Sequence, residues 1–356
     1  MSLLDQPLVN RLGDGRIQLR HGPIDLIIEA FGSPAEVELA CQQATESFAT
    51  VLSDLVAELS DLRKPHGTHA TLFQGDIAMA MAGVAEVFAV NRFVTPMIAV
   101  AGAVADHILH DMTKGRVLTR AYVNNGGDIA LYLNKHQSFN VGVCANPLDG
   151  TVVSTATIDE RSEVRGIATS GWRGRSHSMG IADSVTVLAR TAAMADSAAT
   201  LIANAIDLPD HPMIKRKPAC ELAPDSDLGN RMVTVDVKGF TVEETHRALE
   251  SGHRVARTMI EDGLISAVYG CLNTHMFSVD AAGFDPLIPR ACVEVPVTHR
   301  NAAYARSHFD SIEVGLNEAP ETDEMLADVV MKADASVYNR AGSLNADDIR
   351  GEDTVR

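Results

Sequence analysis

A turn with paired glycines constrains the fold of this chain more than any other segment. The turn, Asn124–Asp128, reads Asn-Asn-Gly-Gly-Asp and separates two strand-like runs, Leu118–Val123 and Ile129–Leu133. A type I′ hairpin turn needs positive φ at both central residues, and glycine adopts positive φ without steric cost. The sequence therefore predicts an antiparallel hairpin in which Gly126 and Gly127 form the turn.

Hydrophobic periodicity predicts helices and strands in mixed order along the rest of the chain. Further predicted strands are Arg16–His21, Ile24–Ile28, Phe139–Cys144, Val152–Ile158, Ser184–Ala189 and Met232–Val237. Predicted helices are Pro34–Arg63, Pro96–Thr113, Met194–Ile206, Val242–Met259 and Glu324–Val337. Because hairpins and helices do not alternate strictly, we predict an α+β fold in which a mostly antiparallel sheet packs against helices.

The length and composition suit one large domain or two closely joined ones. The chain has 356 residues, of which 46% are apolar, which is enough to form a sizeable core. We expect residues 1–64 to belong to the same domain as a core at residues 65–275. Residues 276–356 are expected to form a C-terminal extension with an acidic, partly flexible tail, of which the last dozen residues are frayed.

The charge balance argues against nucleic-acid binding. The chain has 30 basic and 47 acidic residues and a net charge of −17, and its basic residues do not cluster. The short basic run Lys215–Lys217 is expected to be a solvated loop. No apolar run is long enough to span a bilayer, and no leader-like segment begins the chain. We therefore expect a cytoplasmic protein that acts on a small molecule and binds neither nucleic acid nor membrane.

A carboxylate and a hydroxyl lie one turn apart on the predicted helix Met194–Ile206. Asp196 and Thr200 are four residues apart, so their side chains face the same way. Oxygen ligands of this kind suit a hard cation such as Mg²⁺, which keeps several of its waters. The alanines around Asp196 favour a packed interior position. The pair is a candidate cation site, although the same spacing is common in helices without such a function.

The segment Gly166–His177 combines small, basic and titratable side chains. Its candidate ligand-binding residues are Thr169, Ser170, Gly171, Arg173 and Arg175. Arginine recognises anions through paired hydrogen bonds, and histidine titrates near neutral pH, which makes His177 a candidate general acid or base. The alternative is an ordinary surface loop.

The glycine turn also carries a functional interpretation. Paired glycines let the backbone approach a ligand closely and point N–H groups at an anion. Asn125, Gly126 and Gly127 are therefore candidate ligand-binding residues. Asp128 is a candidate catalytic residue, placed to accept a hydrogen bond from a ligand hydroxyl or amine. The alternative is a purely structural turn.

In this order the segments resemble the ApbE-like superfamily, whose best-known members are FAD:protein FMN transferases. The corresponding pieces are Ala99–Ala103, Val123–Asp128, Ala168–Gly171, Ser176–His177, Ser184–Val187 and Ala195–Thr200. The resemblance implies an ApbE-like, T-fold-like antiparallel sheet packed with helices. It also implies a Mg²⁺ site formed by Asp196, Thr200 and the backbone carbonyl of Ala168.

Two departures fall in the parts of the superfamily's site that handle flavin. Ala105–Asp106 stands where the transferases carry a lysine-glycine pair. Ser178–Asp183 runs directly into a strand, where they carry an aspartate-proline-x-threonine-glycine loop. Because function follows the site and not the fold, these differences favour a branch apart from the flavin transferases.

Three functions stay open on this evidence. The first is a divalent-metal-dependent hydrolase or transferase that acts on a small polar or anionic molecule, with His177 and Asp128 as catalytic residues. The second is an FAD:protein FMN transferase or FAD pyrophosphate hydrolase, for which FAD is the ligand. The third is a non-catalytic ligand-binding protein. The expected cofactor is a divalent cation, Mg²⁺ before Zn²⁺.

Two histidine pairs are candidates for a second metal or ligand site. His66 and His69, like His107 and His110, are three residues apart, a spacing that can ligate Zn²⁺ or a similar metal. The alternative is that these histidines are solvated or packed.

Two apolar segments are candidates for a subunit interface. The predicted helix Pro96–Thr113 and the alanine-rich stretch Met79–Ala89 present apolar side chains. Closed homo-oligomers are common among soluble proteins, so a homo-oligomer is an expectation.

Overall fold

The computed structural model describes residues 6–67, 72–90, 92–146, 151–273 and 275–280, together with three short strands nearer the C-terminus. The strands are β1 Leu8–Arg11, β2 Ile17–His21, β3 Ile24–Gly32, β4 Leu118–Asn125, β5 Asp128–Leu133, β6 Ser138–Asn146, β7 Thr151–Asp159, β8 Gly166–Ser170, β9 Ser184–Ala189, β10 Ile214–Pro218, β11 Met232–Val237, β12 Ala267–Leu272, β13 His275–Asp280, β14 Leu287–Pro289, β15 Val314–Gly315 and β16 Ala327–Val330. The helices are α1 Pro34–Leu62, α2 Asp76–Phe88, α3 Val100–Thr113, α4 Ala192–Ala205, α5 Ala219–Leu222 and α6 Val242–Glu261, and a 3-10 turn at Pro96–Ala99 leads into α3.

A ten-stranded sheet forms the centre of the fold. Its strand order is β1-β2-β3-β4-β5-β8-β9-β12-β13-β14, and each neighbouring pair is antiparallel. The β4–β5 hairpin closes through Gly126 and Gly127, whose φ angles are 65° and 112°. The predicted hairpin and the predicted α+β class with a mostly antiparallel sheet are confirmed.

The helices pack on one face of this sheet. Side chains alternate between the two faces along each strand, and every second residue of β3 is buried among α1 and α3, with Leu26 and Ile28 fully enclosed. The strands β8, β9, β12 and β13 pack in the same way against α4 and α6, where Val187 and Val268 are fully buried. The apolar alternation therefore places four long helices side by side on the sheet.

The β6–β7 hairpin packs on the opposite face of the sheet. Phe139 of β6 makes edge-to-face contacts with Tyr122 of β4 and Phe31 of β3, at ring-centroid distances of 6.1 and 6.5 Å. These rings belong to a third buried cluster that continues to Val141 and Ile158. The hairpin is part of a small sheet of order β15-β16-β6-β7, so the large sheet is covered on both faces in this region.

A pair of strands, a set of helices and a second pair of strands follow one another twice along the chain, and in the second half β10 and β11 lie between the helices. The first half runs from β2 to β5 with α1–α3, and the second from β8 to β13 with α4–α6. The halves join where β5 pairs with β8, with Ile129 opposite Ile167. The glycine turn, the start of α3, the end of β8 and the start of α4 therefore meet at one junction.

Three segments differ from, or decide between, the predicted structures. Gly166–Ser170, for which a surface loop was an alternative, is the central strand β8. The basic run Lys215–Lys217 lies in β10 and pairs with β11, so its prediction as a loop is wrong. Residues 327–330 form a strand parallel to β6, so the helix predicted at Glu324–Val337 is wrong there. The remainder of that segment and the last dozen residues lie outside the described residues.

Among the described residues, no helix is both long and apolar enough to cross a membrane.

The apolar helices α2 and α3 differ in how much of their surface is buried within the subunit. Most of α3 is buried within the subunit, whereas α2 leaves Met79 and Val87 exposed at 47% and 42%. The homo-oligomer stays a prediction, with α2 as the more accessible of its two candidate surfaces.

Candidate functional site

A cavity of about 390 Å³ lies at the junction of the two halves. Ten residues singled out from the sequence line it: Asn125, Gly126, Gly127, Asp128, Thr169, Ser170, Gly171, Arg175, Asp196 and Thr200. The opposite wall is apolar and comes from the β2–β3 turn and the start of α3: Pro23, Ile24, Met97, Val100, Ala101 and Val104. A pocket of this size and composition suits a small molecule with both an apolar and a polar side.

The predicted cation pair faces this cavity from α4. The helix begins at Thr191, whose hydroxyl accepts a hydrogen bond from the N–H of Met194 at 3.2 Å. One turn further, Asp196 Oδ2 accepts a hydrogen bond from the N–H of Gly102 at 3.1 Å. The carboxyl of Asp196 is open to the cavity but otherwise enclosed by protein, and this burial raises its pKa to about 7.

Asp128 places a second enclosed carboxyl group at the same cavity. It follows the glycine turn as the first residue of β5. Burial raises its pKa well above the usual value, and the negative charge of Asp196 raises it further. The N–H of Thr169 and the charge of Arg175 act in the opposite direction. Two carboxyl groups that repel each other in one cleft are typical of functional sites.

These oxygen donors fit a hard divalent cation. Asp196 and Thr200 lie on one side of the cavity, and a bound cation would offset the repulsion between Asp196 and Asp128. Mg²⁺ takes one or two carboxylates and completes its shell with water. Ala168, the third ligand implied by the resemblance, is fully buried in β8 and is not among the residues that line the cavity.

The glycine turn presents fewer free N–H groups than the sequence suggests. The N–H of Gly127 is donated to Asn124 Oδ1 at 2.9 Å, so this N–H group is already engaged within the turn, and anion binding by the turn stays a prediction. A positive charge also lies beside the turn. Arg175 donates to the carbonyl of Pro23 at 2.9 Å, and its Nη1 would be 3.2 Å from a Cβ added at Gly126.

Hydrogen bonds hold the neighbouring polar residues in fixed positions. Asn125 Nδ2 donates to the carbonyl of Ala101 at 3.0 Å, which ties the turn to the start of α3. The hydroxyls of Thr169 and Thr186 are 2.9 Å apart across β8 and β9. The cavity wall is therefore formed in advance of any ligand.

Two of the predicted catalytic and ligand-binding residues lie outside the cavity. His177 is exposed and does not line it. The guanidinium carbon of Arg173 lies 4.2 Å from the centre of the Trp172 ring, and its Nε is 3.4 Å from Asp183 Oδ1. Its positive charge therefore interacts with these two side chains. The chain does bring a loop of basic residues to the cavity, but Arg175 is the member that reaches it.

Three of the four histidines in the two candidate pairs lie among the described residues. His107 Nε2 is 3.6 Å from Asp111 Oδ2, His110 is exposed, and His66 is partly buried. His69 lies outside the described residues. Within the described part of the chain, no group of three or more histidine, cysteine or acidic residues is arranged to hold a metal ion.

Two acidic residues of this region were missed by the sequence analysis. Asp183 lines the cavity and accepts a hydrogen bond from the N–H of Asn273 at 2.6 Å. Asp106, noted only as a departure from the superfamily, accepts hydrogen bonds from the N–H groups of Ala192 and Ala193 at 3.0 and 2.9 Å. Burial raises the pKa of Asp106 to about 6. The sequence signal that could have identified Asp106 as a buried, functional residue is an acidic side chain within an alanine-rich helix.

The melting temperature of the cation-free protein is expected to fall as the pH rises from about 4 to about 7. The pKa values of Asp106 and Asp196 are raised to about 6 and about 7 by folding. The stability gained from such groups is complete below their unfolded pKa and is lost as pH rises through the folded pKa. For Asp106 alone the change corresponds to about 3 kcal/mol.

Scanning calorimetry in EDTA tests this expectation. Mg²⁺ should raise the melting temperature most at the upper end of the pH range, because only the deprotonated Asp196 binds a cation. A melting temperature that rises steadily from about pH 4 to about pH 7 contradicts the raised pKa values.

A comparison with models of known protein families identifies the family of this chain. A family model described as "AbpE bacteria" matches residues 9–278, which include the glycine turn, β8 and α4. The chain belongs to this family. The ApbE-like resemblance carried by the motifs is thereby confirmed for this AbpE protein. A second model, described as "Amino acid synthesis", matches residues 288–342, most of which lie outside the described residues.

The chain is similar to several UPF0280 proteins. It is 40% identical over 119 residues to a UPF0280 protein of Methanothermobacter thermautotrophicus, covering 33% of this chain and 44% of the relative. It is 32% identical over 188 residues to a UPF0280 protein of Methanospirillum hungatei, covering 51% and 73%. A relative from Methanococcus vannielii is 38% identical over 129 residues, covering 35% and 51%. The chain thus spans about half the length of two of these three relatives.

The ApbE protein of Thermotoga maritima matches with a TM-score of 0.42 and 11% identity, covering 79% of this chain and 96% of that one.

Proposed function

We propose that this AbpE protein is an enzyme that uses a divalent cation, Mg²⁺ before others, to hydrolyse a small polar or anionic molecule or to transfer a group from it. The observation that carries the proposal is the pair of enclosed carboxyl groups, Asp128 and Asp196, which line one cavity with Thr200 and have raised pKa values. A structural protein gains nothing from such a costly arrangement, whereas a cation or a proton offsets its cost.

Each group at the cavity has a chemical role in this proposal. Asp196 and Thr200 would hold the cation, which would supply polarisation of the scissile bond or a lower pKa of a bound water. Asp128, whose pKa is raised well above its usual value by burial, serves as the general acid and then as the base that regains the proton. Arg175 binds an anionic group of the substrate.

The role of His177 changes relative to the prediction from sequence. It was a candidate acid or base because of its residue type, but it is exposed and does not line the cavity. Asp128 takes that role in the proposal, since a general acid needs to reach the reacting group at hydrogen-bond distance.

Replacing Arg175 with alanine is expected to weaken the binding of Mg²⁺-pyrophosphate by about 10-fold. The arginine is the cationic side chain that lines the cavity, and calorimetric titration measures the loss. His177→Ala is the control from the same loop, with an expected change of less than about 2-fold. Equal losses in the two variants contradict the assignment of the anion site to Arg175.

Flavin transfer is the second candidate function. The apolar wall formed by Met97, Val100 and Val104 faces the polar turn, and this arrangement suits a flat ring that carries a phosphorylated chain. The replacement of the lysine-glycine pair by Ala105–Asp106 argues against it. Incubation with FAD and Mg²⁺ distinguishes the two, because transfer or hydrolysis of FAD releases AMP.

Phosphorus NMR with a panel of phosphate esters and pyrophosphates tests the proposed activity. We expect a product that forms only with Mg²⁺ and that disappears when EDTA is added. Binding of panel members without turnover supports a non-catalytic ligand-binding protein and contradicts the proposal.

A further inference from the structure

Each of the helices α3 and α4 supplies a carboxylate that accepts hydrogen bonds from the first turn of the other helix. Asp196 of α4 accepts the N–H of Gly102 in the first turn of α3, at 3.1 Å. Asp106 of α3 accepts the N–H groups of Ala192 and Ala193 in the first turn of α4, at 3.0 and 2.9 Å. Because each helix start contacts the second turn of the other, the two helices run in opposite directions.

These reciprocal hydrogen bonds depend on close contact between the two backbones. A Cβ added at Gly102 would lie 2.3 Å from the carbonyl oxygen of Ala192, so only glycine permits this approach. A helix start leaves four N–H groups without partners within the helix, and Asp106 accepts two of those of α4. The first turn of α4 is thereby fixed against α3 in both distance and rotation.

The rotation of α4 determines where the cation ligands point. Asp196 lies one turn beyond Ala192, and Thr200 lies one turn beyond Asp196, so a rotation at the helix start moves both side chains together. Cation sites require ligand distances within about 0.2 Å of their preferred values. The orientation of the first turn is therefore a condition for the site.

We propose that Asp106 is a positioning residue for the cation site, which holds α4 in the rotation that directs Asp196 and Thr200 into the cavity. This inference rests on the proposed function of that site. An ordinary helix cap stabilises the helix without affecting ligand geometry, so the test needs a readout that stability alone does not change.

The variant Asp106→Asn tests the positioning role. The asparagine side chain keeps the size of the aspartate. Its amide oxygen accepts a hydrogen bond from one of the two N–H groups of Ala192 and Ala193, but its NH₂ group, itself a donor, is directed at the other. We expect the affinity for Mn²⁺, measured by calorimetric titration well below the melting temperature, to fall about 10- to 100-fold. Asp111→Asn is the matched control, since it makes the same charge change on α3 at a residue that contacts Ser47 and His107. Its affinity for Mn²⁺ should stay within about 2-fold of the wild type.

Crystal structures of the two variants and the wild type complete the test. We expect Asp106→Asn to displace the Asp196 carboxylate and the Thr200 hydroxyl from their wild-type positions. Unchanged positions of the Asp196 and Thr200 side chains in Asp106→Asn overturn the positioning role. A lower melting temperature of this variant with wild-type affinity for Mn²⁺ also overturns it, and Asp106 is then an ordinary helix cap. If the wild type itself does not bind Mn²⁺, the proposed function fails, and the positions of the two side chains alone decide the role of Asp106.

Discussion

Replacing Asp196 with alanine is expected to weaken the binding of Mg²⁺ or Mn²⁺ by about 100-fold or more, which corresponds to about 2.7 kcal/mol. Asp196 lines the cavity one helical turn from Thr200, and its oxygens are the charged donors that a hard cation prefers. Without it, the proposed pair of ligands on α4 keeps only the neutral hydroxyl of Thr200. Turnover should be lost with the cation, because the cation supplies the polarisation in the proposed reaction.

Calorimetric titration with Mn²⁺ at about pH 8 measures this loss, since Asp196 is then deprotonated. Asp54→Ala is the matched control, because Asp54 is exposed on α1, which contributes no residue to the cavity lining. The melting temperature of Asp196→Ala should not fall in EDTA, since the substitution removes a buried carboxyl group. Wild-type affinity in Asp196→Ala means that the cation binds elsewhere.

Replacing Gly166 with alanine is expected to destabilise the protein by about 3 kcal/mol or more. A Cβ at this position would lie 1.9 Å from the carbonyl carbon of Thr191 and 2.0 Å from its oxygen. Both neighbours are backbone atoms at the start of α4, so no side-chain movement relieves the clash. Either β8 or α4 has to shift, and a shift of α4 also moves Asp196.

Urea unfolding measures this effect, and Gly83→Ala is its control. Gly83 lies in α2, and a Cβ added there meets nothing within 4 Å. Alanine at an exposed helical glycine is expected to stabilise by about 0.5–1 kcal/mol. If Gly166→Ala unfolds at the wild-type urea concentration, then α4 is not packed on β8 as closely as described.

Local signals predicted those elements whose structure depends on neighbours in sequence. The helix α6 was predicted at Val242–Met259 and spans Val242–Glu261. It begins with a capping box formed by Thr241 and Glu244, which together satisfy two of the free N–H groups at the helix start. The glycine turn is a local signal of the same kind, because its conformation is a property of the two glycines themselves.

Elements that depend on distant partners were harder to predict. Gly166–Ser170 is short and rich in small residues, and its place at the centre of the sheet follows from pairing with β5 and β9. The basic run in β10 shows the same effect, since Arg216 contacts the carboxylate of Asp207 and the carbonyl of Met179. Neither partner follows from the residues of the run itself.

The residues of the candidate site show the same difference between local signals and distant partners. Asp196 and Thr200 were predicted from their helical spacing, and the structure brings both to the cavity with Asp128. Asp106 was not assigned a role, because the N–H groups that it binds lie 86 and 87 residues further along the chain. His177 was selected by residue type, and its exposed position depends on the path of a loop that composition does not determine.

Anomalous diffraction from crystals soaked in Mn²⁺ tests the central claim most directly. The account predicts a manganese peak in the cavity, within coordination distance of the Asp196 carboxylate and the Thr200 hydroxyl, and no such peak in crystals of Asp196→Ala. An empty cavity in the wild type, or a peak bound by His107 and His110 instead, contradicts the assignment of this cavity as a divalent-cation site.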